Sequence, residues 1–185
     1  MITPDDVLDF WFGDDPPTWR EVWFRGQDDF DAACGAFAAA LRAARRGALD
    51  HWADTPRGML ALIILLDQFS RNLHRGSPEA FAADAQARSL ARRAVAQGID
   101  RQLEWVERIF IYLPFQHSEE PADQDESVRL FEDLRIALGD LSAEHAYRHR
   151  DMIRRYGRFP HRNVALGRQS TAEEQAFLAL PGAGL

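Results

Sequence analysis

The segment Gly157-Arg158-Phe159-Pro160-His161-Arg162-Asn163, followed by Gly167-Arg168-Gln169-Ser170-Thr171, gathers three arginines, a histidine and an asparagine around two glycines and a proline. It has few apolar side chains with which to bury itself. Guanidinium forks suit carboxylate or phosphate groups, which they bind in a bidentate way. A helix starting near Thr171 would add the positive end of its dipole. Arg158, Arg162, Asn163 and Arg168 are therefore candidate ligand-binding residues, and His161 a candidate proton carrier. The alternative is that these arginines pair inside the fold with Asp67, Glu119, Glu120 or Asp123.

A second group, Pro114-Phe115-Gln116-His117-Ser118-Glu119-Glu120 with Asp123-Gln124, follows an apolar run. Imidazole titrates near neutrality, so His117 beside Glu119 offers a general acid or base with a carboxylate to set its tautomer. Ordinary capping of the next helix by Ser118, Glu119 or Asp123 explains the same residues equally well. A third group, Asp67-Gln68-Phe69-Ser70-Arg71-Asn72, continues the most apolar stretch of the chain. Asp67 and Arg71 are four apart and can pair on one helix face. Polar groups so close to a buried segment cost about 1–3 kcal/mol each if left unpaired. Asp67 is thus a candidate partner for a histidine, and Gln68, Arg71 and Asn72 are candidate ligand contacts, or all four form an internal network.

The familiar catalytic patterns fail. His145 and His149 are four apart, but Ala146 stands where a zinc protease needs glutamate, and His149 shares its helical spacing with Met152, Ile153 and Tyr156. His117, Glu120 and His161 have the donor types of a zinc or manganese site, yet no spacing singles them out, and we assign no metal. There is no Gly-x-Ser-x-Gly elbow and no Gly-x-Gly-x-x-Gly loop. All 22 basic residues are arginine, which excludes a Schiff-base lysine, a P-loop lysine and a kinase lysine. Cys34 is the one cysteine and lies in an alanine-rich helical stretch, so it reads as a small core residue.

The elements that position these groups are punctuated clearly. Thr3-Pro4-Asp5-Asp6 opens a short helix over Val7 to Phe12, which Gly13 stops. Further helices are predicted over about 28–46, 55–73, 77–98 with a bend near Asp84, 100–112 stopped by Pro114, 123–138 and 142–156. Ser170-Thr171-Ala172-Glu173 forms a capping box for a last short helix. Leu62, Leu65, Leu66, Phe69 and Leu73 share one face. Met59 to Leu66 is apolar all round, so that helix should be central. Val106, Ile109, Phe110 and Leu113 make the fifth helix similar, and Val128, Phe131, Leu134 and Leu138 stripe the sixth. No run alternates like a strand. The expectation is an all-α single domain over 1–185, with about seven main helices packed as antiparallel hairpins.

A chain of 185 residues with net charge −7 and pI about 5.3 does not suit a nucleic-acid binder or an anionic membrane surface. The acidic N-terminus lacks a signal pattern, and the longest apolar run is too short to span a bilayer, so the expected location is the cytoplasm.

The chain resembles a bacterial family known as domain of unknown function 924. The residues that carry the likeness are Val7-Leu8-Asp9-Phe10-Trp11-Phe12-Gly13, Trp23-Phe24, Gly47, Leu60 to Phe69, Arg71-Asn72, Arg75-Gly76, Phe81 and Asp84. It continues in Tyr112-Leu113-Pro114, His117-Ser118-Glu119, Asp123-Gln124, His149-Arg150-Asp151, Gly157 to Asn163, Leu166-Gly167-Arg168 and Ser170-Thr171. The likeness spans nearly the whole chain and implies a tetratricopeptide-like helical fold. It implies no activity, substrate or cofactor.

Two functional expectations follow. In the first, the polar clusters share a pocket for a small anionic molecule, with Arg71, Arg158, Arg162 and Arg168 holding the charge and His117 or His161 transferring a proton. In the second, the helices form a scaffold for a peptide or protein partner, presenting an aromatic groove from Trp19, Trp23 and Trp105, and the clusters are internal glue.

Overall fold

A computed structural model describes residues 2–13, 16–23 and 28–182. Phe24 lies outside these residues, and of Leu138 only the backbone is described. Among the described residues every regular element is helical. In chain order the α-helices are α1 (Pro4–Phe12), α2 (Asp28–Ala33), α3 (Ala38–Arg45), α4 (Pro56–Ile64), α5 (Ser70–Leu73), α6 (Asp84–Ala96), α7 (Trp105–Gln116), α8 (Pro121–Leu138), α9 (Asp140–Tyr156) and α10 (Ala172–Leu178). They fall into two compact units, one of Met1–Arg75 and Glu79–Pro114, the other of Gly76–Pro78 and Phe115–Leu185. No helix among the described residues is long and apolar enough to cross a membrane.

In the first unit, α1 starts as its residues dictate. Thr3 caps it, Pro4 occupies the first turn, and Asp6 returns a bond to the Thr3 backbone. Its buried face, with Val7, Leu8, Trp11 and Phe12, packs on α4. Trp11 is fully buried among Trp23, Phe30, Phe69 and Phe110, with ring centroids 5.3–6.2 Å away. Thr55 caps α4 by accepting from the Gly58 N–H at 3.1 Å. A Cβ at Gly58 would sit 2.1 Å from the Trp52 carbonyl oxygen, so only glycine fits that close approach. From Met59 to Leu65 every side chain is fully buried.

Several helices differ in their bounds from the sequence expectation; the predicted helix over 77–98 is a 3-10 turn at Pro78–Phe81 followed by α6, and that over 100–112 a 3-10 turn at Asp100–Gln102 followed by α7. The predicted helix over 28–46 is interrupted by a 3-10 turn at Cys34–Phe37, which contains Gly35. Glycine weakens a helix interior, and the tighter turn swings both Cys34 and Phe37 into the core. The predicted helix over 55–73 contains a π-helical segment at Leu65–Phe69 between α4 and α5. Pro114 does not stop α7, which runs two residues further to Gln116. An internal proline costs about 3 kcal/mol, and burial of Val106, Ile109, Phe110 and Leu113, at about 1.5–3 kcal/mol per side chain, outweighs it.

In the second unit, α8 and α9 are separated only by Gly139, whose φ of +79° reverses the chain, and they pack together as an antiparallel hairpin. Gln124, Ser127, Val128, Phe131 and Leu134 form the buried stripe of α8, and Ala143, Ala146, His149 and Ile153 that of α9. The two alanines let the helices approach closely. Gly157, at φ +69°, ends α9 in the left-handed region and releases the segment Arg158 to Thr171. That segment returns Phe159, fully buried, onto Met152 and Ile153. The helix α10 is capped by Thr171, one residue later than the capping box read from the sequence: the Thr171 hydroxyl accepts from the Glu174 N–H, and the Glu174 carboxylate accepts from the Thr171 N–H. Thr171 and Glu174 have the same three-residue spacing as Ser170 and Glu173, and the choice between them is made by what Glu174 touches.

Candidate functional site

The first unit holds Asp67, Gln68, Arg71 and Asn72. Asp67 and Gln68 lie on the π segment and are 1% and 5% exposed. The Gln68 amide nitrogen donates to the Asp67 carboxylate. Arg71 Nη1 donates to Asp67 Oδ1 at 2.8 Å and to the Asp67 carbonyl at 3.0 Å. Its fork also takes Asp84 in a bidentate pair at 2.9 and 3.0 Å. Burial opposes the Arg71 charge, and Asp67 and Asp84 more than offset it, so its pKa lies above the ordinary value. The guanidinium also lies 5.7 Å over the Phe81 ring. Asn72 donates to the buried Cys34 sulfur at 3.7 Å. The polar side chains here are turned onto one another, which is the arrangement of an internal network.

The second unit gathers His117, Glu119, Arg158, His161, Arg162, Asn163 and Arg168. The turn after α7 is held by Gln124, whose amide nitrogen donates to the carbonyls of Gln116 at 2.8 Å and Ser118 at 2.6 Å. The Ser118 hydroxyl donates to Asp123 at 2.7 Å and accepts from the Glu120 N–H at 3.1 Å. This fixes the loop that carries His117 and Glu119. Glu119 accepts from the Phe159 N–H at 2.8 Å and from both terminal nitrogens of Arg168 at 2.7 and 3.0 Å. Burial works against its charge, and the hydrogen bonds from Arg168 and Phe159 prevail, holding its carboxyl below the usual range. Both Glu119 oxygens thus serve the Phe159 backbone and Arg168.

Arg168 continues to Asn163 Oδ1 and to the Phe159 carbonyl, each at 3.0 Å. Arg158 grips Glu174 with Nε and Nη2 at 2.6 and 2.8 Å. Glu174, 2% exposed, also accepts from Asn163 and from the Thr171 N–H. The Arg158 hydrogen bonds bring its carboxyl down to about 2. Sequence reasoning passed over Glu174, although Thr171-x-x-Glu174 is itself a capping-box pattern.

Phe159 is the hub of the aromatic contacts. The rings of His149 and His161 each lie 5.6 Å from it, and the Arg162 guanidinium sits 4.4 Å over its face. Arg162 is 7% exposed. His149 Nδ1 is 2.8 Å from the His145 carbonyl, which makes it the protonated nitrogen. Burial pushes the His149 imidazole down to about 3, with His117 and Arg162 facing it. Burial and Arg162 push His161 down to about 4, against the opposing pull of Glu119 and with His117 and Arg168 also nearby. Both imidazoles are therefore neutral at pH 7. His161 is half-buried, and its Nδ1 is buried with no hydrogen-bond partner. Among the described residues, no group of three or more histidine, cysteine, aspartate or glutamate side chains is placed to hold a metal ion. Chemically, the cluster offers neutral imidazoles that can accept a proton, set beside guanidinium groups that favour an anion.

The sequence profile of the family described as "Bacterial protein of unknown function (DUF924)" matches residues 7–182. The chain belongs to this bacterial DUF924 family. Among solved structures, it is similar to a protein of unknown function from Agrobacterium tumefaciens, with 40% identity and a TM-score of 0.85, covering 95% of this chain and 96% of that one. No curated protein matches it.

Proposed function

We propose that the Phe159 cluster of this DUF924 protein binds a small anionic molecule, with His117 or His161 placed to take or return a proton. The observation that carries the reading is His161. Its Nδ1 is buried and makes no hydrogen bond, while the rest of the ring is partly open and faces Arg162 and Arg168. An unpaired buried polar atom costs about 1–3 kcal/mol, a cost that a ligand's hydrogen bond offsets. The ion pairs Arg158–Glu174 and Arg168–Glu119 then act as the frame that holds Phe159, His161, Arg162 and Asn163 in place.

Thermal unfolding in the presence of inorganic phosphate and small carboxylates tests this. A ligand at about 100 times its Kd adds about 2.7 kcal/mol of apparent stability. A shift that disappears in His161→Ala and Arg162→Gln supports the reading. An anion bound beside His161 also raises its pKa, so binding should take up protons and tighten as pH falls from 7 toward 5. Equal shifts in wild type and both variants would refute the site.

A second reading, a helical scaffold for a peptide or protein partner, is favoured by one observation. Arg71, Arg158 and Arg168 are each already held by internal carboxylates, as glue rather than ligand contacts. Of the tryptophans considered for an aromatic groove, Trp23 is buried, whereas Trp19 is 50% and Trp105 37% exposed. Pull-down with wild type and with Trp19→Ala separates the two readings.

A further inference from the structure

The chain from Arg158 to Leu178 is tied together from within. Arg158 holds the Glu174 carboxylate and the Gln169 carbonyl. Asn163 donates to Ser170 and Glu174, and Arg168 returns to Asn163 through both its backbone and its side chain. The segment after α9 and the short α10 therefore form one small body, a strap. It joins α9 at Gly157, whose φ of +69° is open to glycine without steric cost. Among the described residues no atom lies within 4 Å of where a Gly157 Cβ would stand, so packing does not wedge this joint. Glu119 lays the strap on the α8–α9 hairpin by accepting from the Phe159 N–H and from Arg168. The Phe159 ring does the same from its buried seat against Met152 and Ile153, with the Tyr156–Phe177 ring contact and the exposed Arg155–Glu173 pair beside it.

The Phe159 anchor is set among bases. His149 from α9 and His161 from the strap each stand 5.6 Å from its ring, and the Arg162 guanidinium lies 4.4 Å over its face. A proton on either imidazole puts a second cation beside Arg162 where little water reaches, and like charges repel most strongly there. Facing His149 are His145 from its own helix, His117 from the loop before α8 and Arg162 from the strap. Facing His161 are Arg162 and Arg168 from the strap, and His117 and Glu119 from that loop. Of these groups only Glu119 attracts an imidazolium, and it already serves Arg168 and the Phe159 N–H. Glu174 of α10 is held by Arg158.

We propose that residues 158–178 form an acid-released strap: protonation of His149 and His161 drives Phe159 from its seat, the strap turns about Gly157 with α10 attached, and the α9 face of Met152 and Ile153 is uncovered while α8 and α9 stay paired. Release brings both rings and Arg162 to water, which removes the repulsion. Glu119, held below the usual carboxylate range, stays ionised through this window, so the histidines set the pH of release. The device does not depend on the anion-binding reading above.

Residue-resolved amide hydrogen exchange on the full chain, corrected for the intrinsic pH dependence of exchange, tests this. The N–H groups of Asn163, Arg168 and Glu174 report the strap. At every pH they should open more readily than the buried stripes of α8 and α9. Between pH 7 and pH 5 their opening constant should rise about 500-fold, about 20-fold from each ring. His149→Phe and His161→Phe should each reduce the rise to about 20-fold, and the double variant should abolish it. Proton NMR titration of the rings in the wild-type chain gives a readout that needs no substitution, since both should resist protonation at pH 6 while the strap is closed. Strap amides that open only together with those of α8 and α9 would overturn the proposal. So would an opening constant that ignores pH, a double variant that keeps the wild-type pH dependence, or rings that titrate near 6.5 with the strap closed.

Discussion

Acidification should loosen the second unit, and the amount follows from two buried histidines. His149 and His161 have folded pKa values pushed to about 3 and about 4, against about 6.5 when unfolded. Because the folded values are depressed, the unfolded chain binds more protons between them. Stability is therefore complete above pH 6.5, falls as pH drops through 6, and levels off only below the folded pKa values. Integrating the linkage from pH 8 to pH 5 gives a loss of about 2 kcal/mol for each ring, about 4 kcal/mol together. Glu119 and Glu174, whose carboxyls are depressed, contribute stability that is lost only below their unfolded range, so this window isolates the histidines. All five tryptophans precede Phe115, and their fluorescence follows the first unit alone. Amide hydrogen exchange in α8 and α9 is the assay that follows the second. His149→Phe keeps a ring against Phe159 and removes one titrating group, so the protection lost between pH 8 and pH 5 should fall by about half. An unchanged pH slope in that variant, or a flat slope in wild type, would refute the linkage argument.

Glu174→Gln removes the carboxylate that holds Arg158, Asn163 and the Thr171 N–H; it should cost about 1–3 kcal/mol and expose α10 to proteolysis before the rest of the chain, as mass spectrometry of the first cleavage products would show. Arg71→Lys keeps the charge but loses the fork that joins Asp67 to Asp84; tryptophan fluorescence should report a first unit destabilised by about 1–3 kcal/mol, while any anion-induced shift in the second unit is retained. Cys34 is fully buried and its thiol is pushed up to about 11, mainly by burial, so it should resist a disulfide reagent in the native protein and react within seconds in urea.

The helical class, the caps and the apolar stripes were legible in the chain because each is a local or periodic property. Thr3-Pro4-Asp5-Asp6 dictates the start of α1 by chemistry within four residues, and Met59 to Leu66 is buried because no face of it is polar. The three polar segments were also legible as groups, since unpaired polar residues beside apolar runs need partners wherever they fold. Their partners were not, because pairing across many residues depends on where helices end. Both Ser170–Glu173 and Thr171–Glu174 satisfy the capping spacing, and only the approach of Arg158 and Asn163 selects Glu174. Asp84 as the second carboxylate for Arg71, Phe159 as the ring between two histidines and Arg162, and the burial that keeps those histidines neutral are likewise products of tertiary packing. Pattern and capping act within a turn or two of helix, and so the sequence by itself determined which elements form and which faces are apolar. Hydrogen bonds, desolvation and charge act through space, and so only the tertiary structure decided which arginine meets which carboxylate and which polar atoms are left in want of a partner.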